Sequence, residues 1–370
     1  MFDCIIVGSG PAGASAAYHL AKNGRSVLVL EKETLPRYKP CGGGVSPIVQ
    51  EWFDFDFTPA ISLRIDSICY TWKKGDLVEV KLQNKQPIWM VRREIFDYFI
   101  IQKAQKQGAE IRDKTRVIGI EFKNNNWQVY TDNQSFTSPY LIAADGAKGS
   151  MAKWLGFKNR KRFAGGAMEI EIPVKNQKID SAYFEFGMLN NGYVWNFPKA
   201  DGYSIGVGTF WRKHGQNFTA LLTEYTSMFE VNIQNVQKFG HPLCLWNGNQ
   251  KLHTQNAVLA GEAACIVDPF TAEGIRPSIF TGVKAARAIH NSLNGDLFAL
   301  EKYTQIINEE WGKDMVWAQR LAQGFSRFSH IGYQVGVKRP HATNIMTKIM
   351  SGELRYSDVV GSALRRLWQR

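Results

Sequence analysis

No apolar run in this chain approaches the roughly 18 residues that a membrane-crossing helix needs. Cysteine is scarce: Cys4, Cys41, Cys69, Cys244 and Cys265 are scattered through 370 residues with no C-x-x-C pair. That spacing suits neither a zinc site nor a disulfide framework, so reduced thiols in a cytosolic compartment are expected. The seven histidines show no H-x-x-x-H or H-E-x-x-H spacing, and no metal is implied. There is no G-x-S-x-G elbow, which weighs against a hydrolase of that type. Repeats, biased tracts and flexible linkers are missing too. The apolar stretch Phe2 to Val7 is too short for a signal-peptide core and has no basic segment before it. A soluble cytoplasmic protein is the expectation.

What is present is a globular composition, 44% hydrophobic and 21% charged, long enough for two domains of about 150 residues each. The charge is lopsided, with 45 basic against 33 acidic residues and a net +12. Residues 312–370 hold ten basic and three acidic residues. Such a tail suits a membrane surface, an acidic substrate or nucleic acid, and equally a solvated helical face. No nucleic-acid reader motif accompanies it, so no nucleic-acid partner is expected.

The chemistry begins at the N-terminus. Phe2 to Val7 reads as a buried parallel strand, followed by Gly8-Ser9-Gly10-Pro11-Ala12-Gly13, a G-x-G-x-x-G. Ala14, Ala17, Leu20 and Ala21 then fall at helical spacing, Gly24 ends the helix, and Ser26 to Leu30 is a second strand closed by Glu31. Glycines there let the backbone approach a pyrophosphate at the helix N-terminus, and Glu31 can accept from ribose hydroxyls. The unit alone does not choose between NAD and FAD. Two later strand ends favour a flavin: Tyr140 to Ala144 before Asp145-Gly146, and Ala257 to Gly261 before Glu262, Asp268 and Gly274. From Ile275 to Ala288 a helix rich in small residues could point its dipole at a reduced flavin ring.

Four stretches together resemble the geranylgeranyl reductase family, within the flavoprotein superfamily of the p-hydroxybenzoate hydroxylase type. They are the opening G-x-G-x-x-G with Glu31, then Pro36-Arg37-Tyr38-Lys39-Pro40-Cys41-Gly42-Gly43-Gly44, then Arg93-Glu94-Ile95-Phe96-Asp97, and finally Tyr193-Val194-Trp195-Asn196-Phe197-Pro198 with Gly206-Val207-Gly208. The resemblance spans residues 1 to about 290. It implies FAD as cofactor, with NADPH or ferredoxin left open as electron donor. Its implied cofactor contacts are Gly8, Gly10, Pro11, Ala12, Gly13, Glu31, Lys32, Cys41, Gly42, Gly43, Arg93, Val117, Asp145, Gly146, Glu262, Asp268, Gly274 and Ile275. Cys41 is its candidate catalytic residue, tuning the flavin or donating a proton. Tyr193, Trp195, Phe197 and Pro198 are its substrate contacts.

Bland readings stand beside these. Cys41 could be a small buried residue, although a Gly-Gly-Gly run fits a loop that approaches a ligand. Alternating Tyr193, Trp195 and Phe197 could be a core stripe or an aromatic wall for a long apolar substrate. Two departures from the family are present: Glu262 stands where Asp is usual, and Ala272 where the flavin-side turn has glycine. A shifted ribityl contact and an altered turn are expected, because alanine opposes positive φ.

The expected fold is α/β, a Rossmann-like FAD-binding domain with an inserted antiparallel-sheet substrate domain and a C-terminal helical segment. Residues 1–60, 90–157 and 251–299 would form the flavin domain, 61–89 and 158–250 the substrate sheet, and 300–370 the helical segment. Within the last, Ser357 is a plausible N-cap for a helix with Val360, Ala363, Leu364 and Leu367 on one face, and Trp368, Arg365 and Arg366 nearby. That helix could rest on anionic lipid or pack on the flavin domain. The expected activity is an FAD-dependent reductase that saturates C=C bonds of a polyprenyl substrate by hydride transfer. The alternatives are a flavin hydroxylase that uses oxygen, and a non-catalytic flavin- or isoprenoid-binding protein. The oligomeric state is not legible.

Overall fold

The first apolar run becomes the strand Cys4–Val7, inside a six-stranded sheet, in a computed structural model that describes residues 1–83, 86–157, 165–175, 179–210 and 216–360. The chain divides into two units. The first is Met1–Tyr38, Arg93–Arg162 and Cys244–Lys313; the second is Lys39–Arg92, Phe163–Leu243 and Asp314–Arg370.

In the first unit the strands lie in the order His253–Thr254, Ala257–Leu259, Tyr140–Ala143, Cys4–Val7, Val27–Leu30 and Glu110–Arg112. All run parallel except the hairpin of the first two. Ile5, Ile6, Leu28, Val29, Leu141, Ile142 and Val258 are wholly buried. A sheet covered on both faces requires such runs without polar alternation. The helices Pro11–Lys22, Arg93–Lys106 and Ile275–Leu293 supply cover, the first packing on both others. An antiparallel layer of Val117–Lys123, Asn126–Thr131 and Ser135–Ser138 completes the unit.

The second unit is built on a seven-stranded sheet: Phe239–Leu243, Gly165–Pro173, Gly202–Phe210, Gly192–Lys199, Ser181–Phe186, Ser67–Trp72 and Gly75–Lys81. The expected antiparallel sheet is in fact mixed, since Ser181–Phe186 runs parallel to Ser67–Trp72. No hairpin fixes the direction of two strands so far apart in sequence, whereas every short connection here gives an antiparallel pair. One face buries Ile170, Val194, Ile205 and Val207 under Leu222 and Tyr225 of the helix Phe218–Thr226. The other carries Tyr70, Phe184, Tyr193 and Phe197, together with Tyr333.

These units divide the chain differently from the sequence expectation. Residues 39–60 fall in the second unit, where Gly44–Val45 pairs with Ile88–Met90. The C-terminal helices are shared out. Tyr303 donates to the Leu259 carbonyl at 2.7 Å and Trp311 Nε1 to that of Ile266 at 2.9 Å, both in the first unit. Tyr333, fully buried, donates instead to the carbonyls of Tyr70 (3.2 Å) and Asp76 (2.6 Å) in the second. The expected terminal helix lies mostly outside the described residues, including Ala363, Leu364, Arg365, Arg366, Leu367 and Trp368. Helical backbone begins at Tyr356, so Ser357 sits inside the first turn and gives its N–H to Asp314 Oδ1 at 2.9 Å. Among the described residues no helix is long and apolar enough to cross a membrane.

The expectation of five reduced thiols is overturned. Cys244 and Cys265 form a disulfide, and Cys4, Cys41 and Cys69 are free. Spacing concealed it because the pairing is tertiary. A parallel bridge of Leu245 with Val267 and the bond from Trp246 N–H to the Val267 carbonyl (2.8 Å) set the two cysteines side by side.

Candidate functional site

In the first unit the N-terminus of the helix Pro11–Lys22 carries no acidic residue in its first turn and no side-chain cap over Gly10. A Cβ at Gly10 would lie 3.5 Å from Arg37 Nη2. Open N–H groups, a favourable dipole and an adjacent guanidinium fit a diphosphate, and hence the FAD implied by the sequence. Glu31 is 4% exposed. Its Oε2 accepts from Ser9 N–H (3.0 Å), Ser9 Oγ–H (2.6 Å) and Arg37 Nε (3.3 Å), and its Oε1 from Glu33 N–H (3.0 Å). Burial alone would raise this carboxyl, but Arg37 and the Ser9 and Glu33 donors outweigh it and hold it below its ordinary range. An ionised acceptor at a strand end suits ribose hydroxyls.

Arg37 continues to Asp97 Oδ2 at 3.5 Å, and Arg93 holds Asp97 in a two-point pair. The structure thus joins Ser9, Glu31, Arg37, Asp97 and Arg93 in one chain of contacts. Lys32 is exposed beside Glu33. Val117 opens its strand two residues after Thr115, whose N–H bonds the Glu31 carbonyl at 2.7 Å.

The two strand ends expected at the flavin also lie in this unit. Asp145 Oδ2 accepts the Met151 N–H at 2.9 Å, at the start of the short helix Met151–Trp154, and Gly146 follows with φ +74°. Glu262 Oε1 accepts the Cys244 N–H at 3.3 Å, which engages the carboxylate where Asp was the family norm. Asp268, almost fully buried, accepts from the N–H groups of Phe270 (2.7 Å) and Thr271 (3.1 Å) and so builds the turn before Gly274 and Ile275. The expected distortion at Ala272 does not occur: alanine adopts φ +59°. The turn keeps its left-handed residue at a cost of roughly 1–2 kcal/mol.

Beside it, Arg276 Nη2 pairs with Glu273 Oε2 at 2.8 Å, while Glu273 Oε1 is buried with no partner among the described residues. Burial pushes the Glu273 carboxyl up to about 7, with Asp268 adding to the rise and Arg276 opposing it. The folded state therefore holds this proton between about 4.5 and 7 while the unfolded chain has released it. Stability should fall as pH rises through that window. Glu273→Gln should narrow the stability difference between pH 5 and pH 7.5 by about 2 kcal/mol, measured by denaturant unfolding at both pH values; an unchanged difference rules the assignment out.

In the second unit the glycine-rich loop lies on the aromatic strand. Tyr193, Trp195 and Phe197 share one face of Gly192–Lys199, with centroids 6.1 and 6.4 Å apart in succession. Pro198 alternates to the opposite face. Gly206, paired with Trp195 on the next strand, leaves room for the indole: a Cβ there would come within 2.5 Å of its Cε2. A Cβ at Gly42 would lie 2.7 Å from Phe197 Cδ2 and 2.9 Å from Trp195 Nε1, so only glycine lets the loop pack this closely. Gly43, at φ +73°, donates its N–H to Cys41 Sγ at 3.4 Å. Phe184 closes the wall behind, 5.4 Å from Tyr193 and 5.2 Å from Phe197. The stripe is therefore partly core as well as the floor under the loop.

Beneath the loop lie charges that sequence reasoning passed over. Glu169 Oε1 accepts the Cys41 N–H at 2.8 Å, Lys199 Nζ donates to the Gly42 carbonyl at 2.6 Å, and Arg92 Nη1 meets Glu171 Oε2 at 2.6 Å. A signal existed for Lys199 and the two glutamates. Lys199 continues the 193, 195, 197 alternation, and Glu169 and Glu171 occupy alternate positions of an otherwise apolar strand. Arg37 and Ser9 lay inside motifs already quoted. Among the described residues no cluster could hold a metal ion.

A family model described as "FAD binding domain" matches residues 66–306, and one described as "NAD(P)-binding Rossmann-like domain" matches residues 6–38. An uncharacterised protein of Methanosarcina barkeri is 32% identical over 329 residues, covering 88% of this chain and 83% of the relative. A digeranylgeranylglycerophospholipid reductase of Methanococcus vannielii is 25% identical over 324 residues, covering 82% and 80%. Among solved structures, a geranylgeranyl bacteriochlorophyll reductase-like protein from Thermoplasma acidophilum superposes with a TM-score of 0.78 at 20% identity, covering 95% of this chain and 91% of that one.

Proposed function

We propose that this chain, which belongs to the FAD-binding domain family and within it to the geranylgeranyl reductase type of FAD-dependent oxidoreductase, saturates carbon–carbon double bonds of a polyprenyl chain carried on an anionic lipid headgroup. The observation that carries this reading is the close packing of the Cys41–Gly43 loop on Trp195 and Phe197. FAD, once bound and reduced by an external electron donor, would supply the hydride and be reoxidised. The chain's own residues bind the diphosphate, lay the prenyl tail on an aromatic floor and keep water away from it. An isolated alkene offers no carbonyl to polarise, so the protein needs a single proton donor rather than an acid–base pair. Cys41 fills that role, its sulfur fixed by the Gly43 N–H. The net charge of +12 favours an anionic headgroup, and the name of the Methanococcus relative supports a glycerophospholipid.

The test is anaerobic incubation of the reduced, FAD-loaded protein with digeranylgeranylglycerophospholipid in vesicles, followed by mass spectrometry. A gain of two hydrogens for each bond reduced is expected, and Cys41→Ala should slow it by roughly 10²-fold. Absence of any mass gain, with a hydroxylated product appearing once oxygen is admitted, would overturn the reading.

A further inference from the structure

Three side chains of the seven-stranded sheet hold the Cys41–Gly43 loop from below, beside the bond from the Val91 N–H to the Gly43 carbonyl at 2.8 Å. Glu169 takes the Cys41 N–H, Ser204 Oγ reaches the Cys41 carbonyl at 3.5 Å, and Lys199 Nζ takes the Gly42 carbonyl. Lys199 is 0% exposed and Glu169 is 2% exposed. A lysine so buried is expensive to keep charged, and an uncharged donor could serve the Gly42 carbonyl as well. A neutral side chain of similar length could support the loop at lower cost. Gly43 adds to the close fit, since a Cβ there would lie 3.1 Å from Lys199 Nζ.

We propose that Lys199 is a positioning residue whose ammonium, balanced by Glu169, sets the reactivity of the Cys41 thiol while it holds the loop in place. As a role in turnover this rests on the reductase reading above; as a property of the thiol it does not. A positive charge beside a sulfur favours the reactive thiolate, and a carboxylate beside it opposes that form. The charged groups that act on Lys199 include Glu171 and Glu169 from the strand Gly165–Pro173, Cys41 from the loop, Asp201, and Arg92, itself paired with Glu171 and Asp201. Burial pulls the Lys199 ammonium down to about 8, with Glu171, Glu169 and Cys41 supporting the charge and Arg92 opposing it. The clamp therefore loses its positive charge as pH rises through about 8.

Thiol alkylation reads this directly, without any prenyl substrate. Cys4 and Cys69 are buried and Cys244 is bonded to Cys265, so iodoacetamide should mark Cys41 first in the FAD-loaded, non-reduced protein. At pH 7, Lys199→Met should slow labelling of the Cys41 peptide about tenfold, and Glu169→Gln should speed it by a similar factor, as expected for one unit charge at close range. Opposite signs are the signature of charge; a merely mechanical clamp would release the loop in both variants and shift both the same way. Equal rates in Lys199→Met and the parent, a change of the same sign in both variants, or no labelling of Cys41 in the parent protein would each overturn the proposal. Prenyl reduction is scored separately, so failure of the reductase reading leaves the labelling result standing, and the reverse holds too.

Discussion

Arg93→Met should lower unfolding stability by about 3–5 kcal/mol, seen as a reduced denaturant midpoint in both the FAD-free and the FAD-loaded protein. The Arg93 guanidinium grips Asp97 at two points, Nε to Oδ1 at 2.8 Å and Nη2 to Oδ2 at 2.7 Å, with side-chain exposures of only 6% and 3%. The two residues are one turn apart at the start of the helix Arg93–Lys106, where that spacing places side chains together. Removing the cation leaves a buried carboxylate supported by Arg37, 3.5 Å away. A buried carboxylate left with that one longer contact is costlier than the two-point pair it came from. Asp97→Asn, which keeps an acceptor and deletes the charge, should cost less. The resemblance at this motif implies a flavin contact for Arg93. Unchanged stability with weakened FAD binding would make that its principal role and refute the structural one.

A Gly282→Val protein should purify without flavin, or bind FAD at least ~tenfold more weakly, a loss of about 1.4 kcal/mol. Gly282 lies inside the helix Ile275–Leu293, a place where glycine ordinarily weakens the element. Its reason is contact: a Cβ there would overlap the Ala12 carbonyl oxygen and stand 3.0 Å from the carbonyl carbon. Ala12 belongs to the first turn of Pro11–Lys22, the turn assigned to the diphosphate. The same alanine is pressed from another side, since a Cβ at Gly261 would come within 2.7 Å of its own Cβ. Added bulk at Gly282 must push that turn aside, and close-packed backbone yields only at a cost of roughly 1–3 kcal/mol. Gly324→Ala is the matching control. That helical glycine has no neighbour among the described residues within 4 Å of an added Cβ, so the substitution should leave flavin content unchanged and add up to about 1 kcal/mol of stability. Stoichiometric FAD in purified Gly282→Val would show that the contact is not needed.

Much of the first unit was legible because its signals are local. A buried run, a glycine turn, a helix and a closing acid follow one another within 31 residues, and each is fixed by its neighbours in sequence. The aromatic strand was legible for the same reason, through period-two alternation. What escaped depends on distant pairing. The parallel join of Ser181–Phe186 to Ser67–Trp72 and the Cys244–Cys265 bond follow from tertiary contacts that spacing does not encode. Ala272 misled because the rule against positive φ is a cost rather than a prohibition, and the Asp268 turn with its two N–H bonds is strong enough to impose it. Lys199 and Glu169 were hidden by habit: charged residues on strands are read as solvent-facing, and these two are buried under a loop that comes from more than a hundred residues earlier in the chain.

Each unit is woven from three separated stretches of chain, and this imposes an order on synthesis. The strand Cys4–Val7 leaves the ribosome early, but its sheet is incomplete until Ala257–Leu259 follows, and its unit until residue 313. The second unit finishes later still, because Tyr333 is the buried partner of Tyr70 and Asp76. For most of translation the nascent chain must therefore carry half-built sheets with exposed edges, the condition in which chains most need shielding from one another.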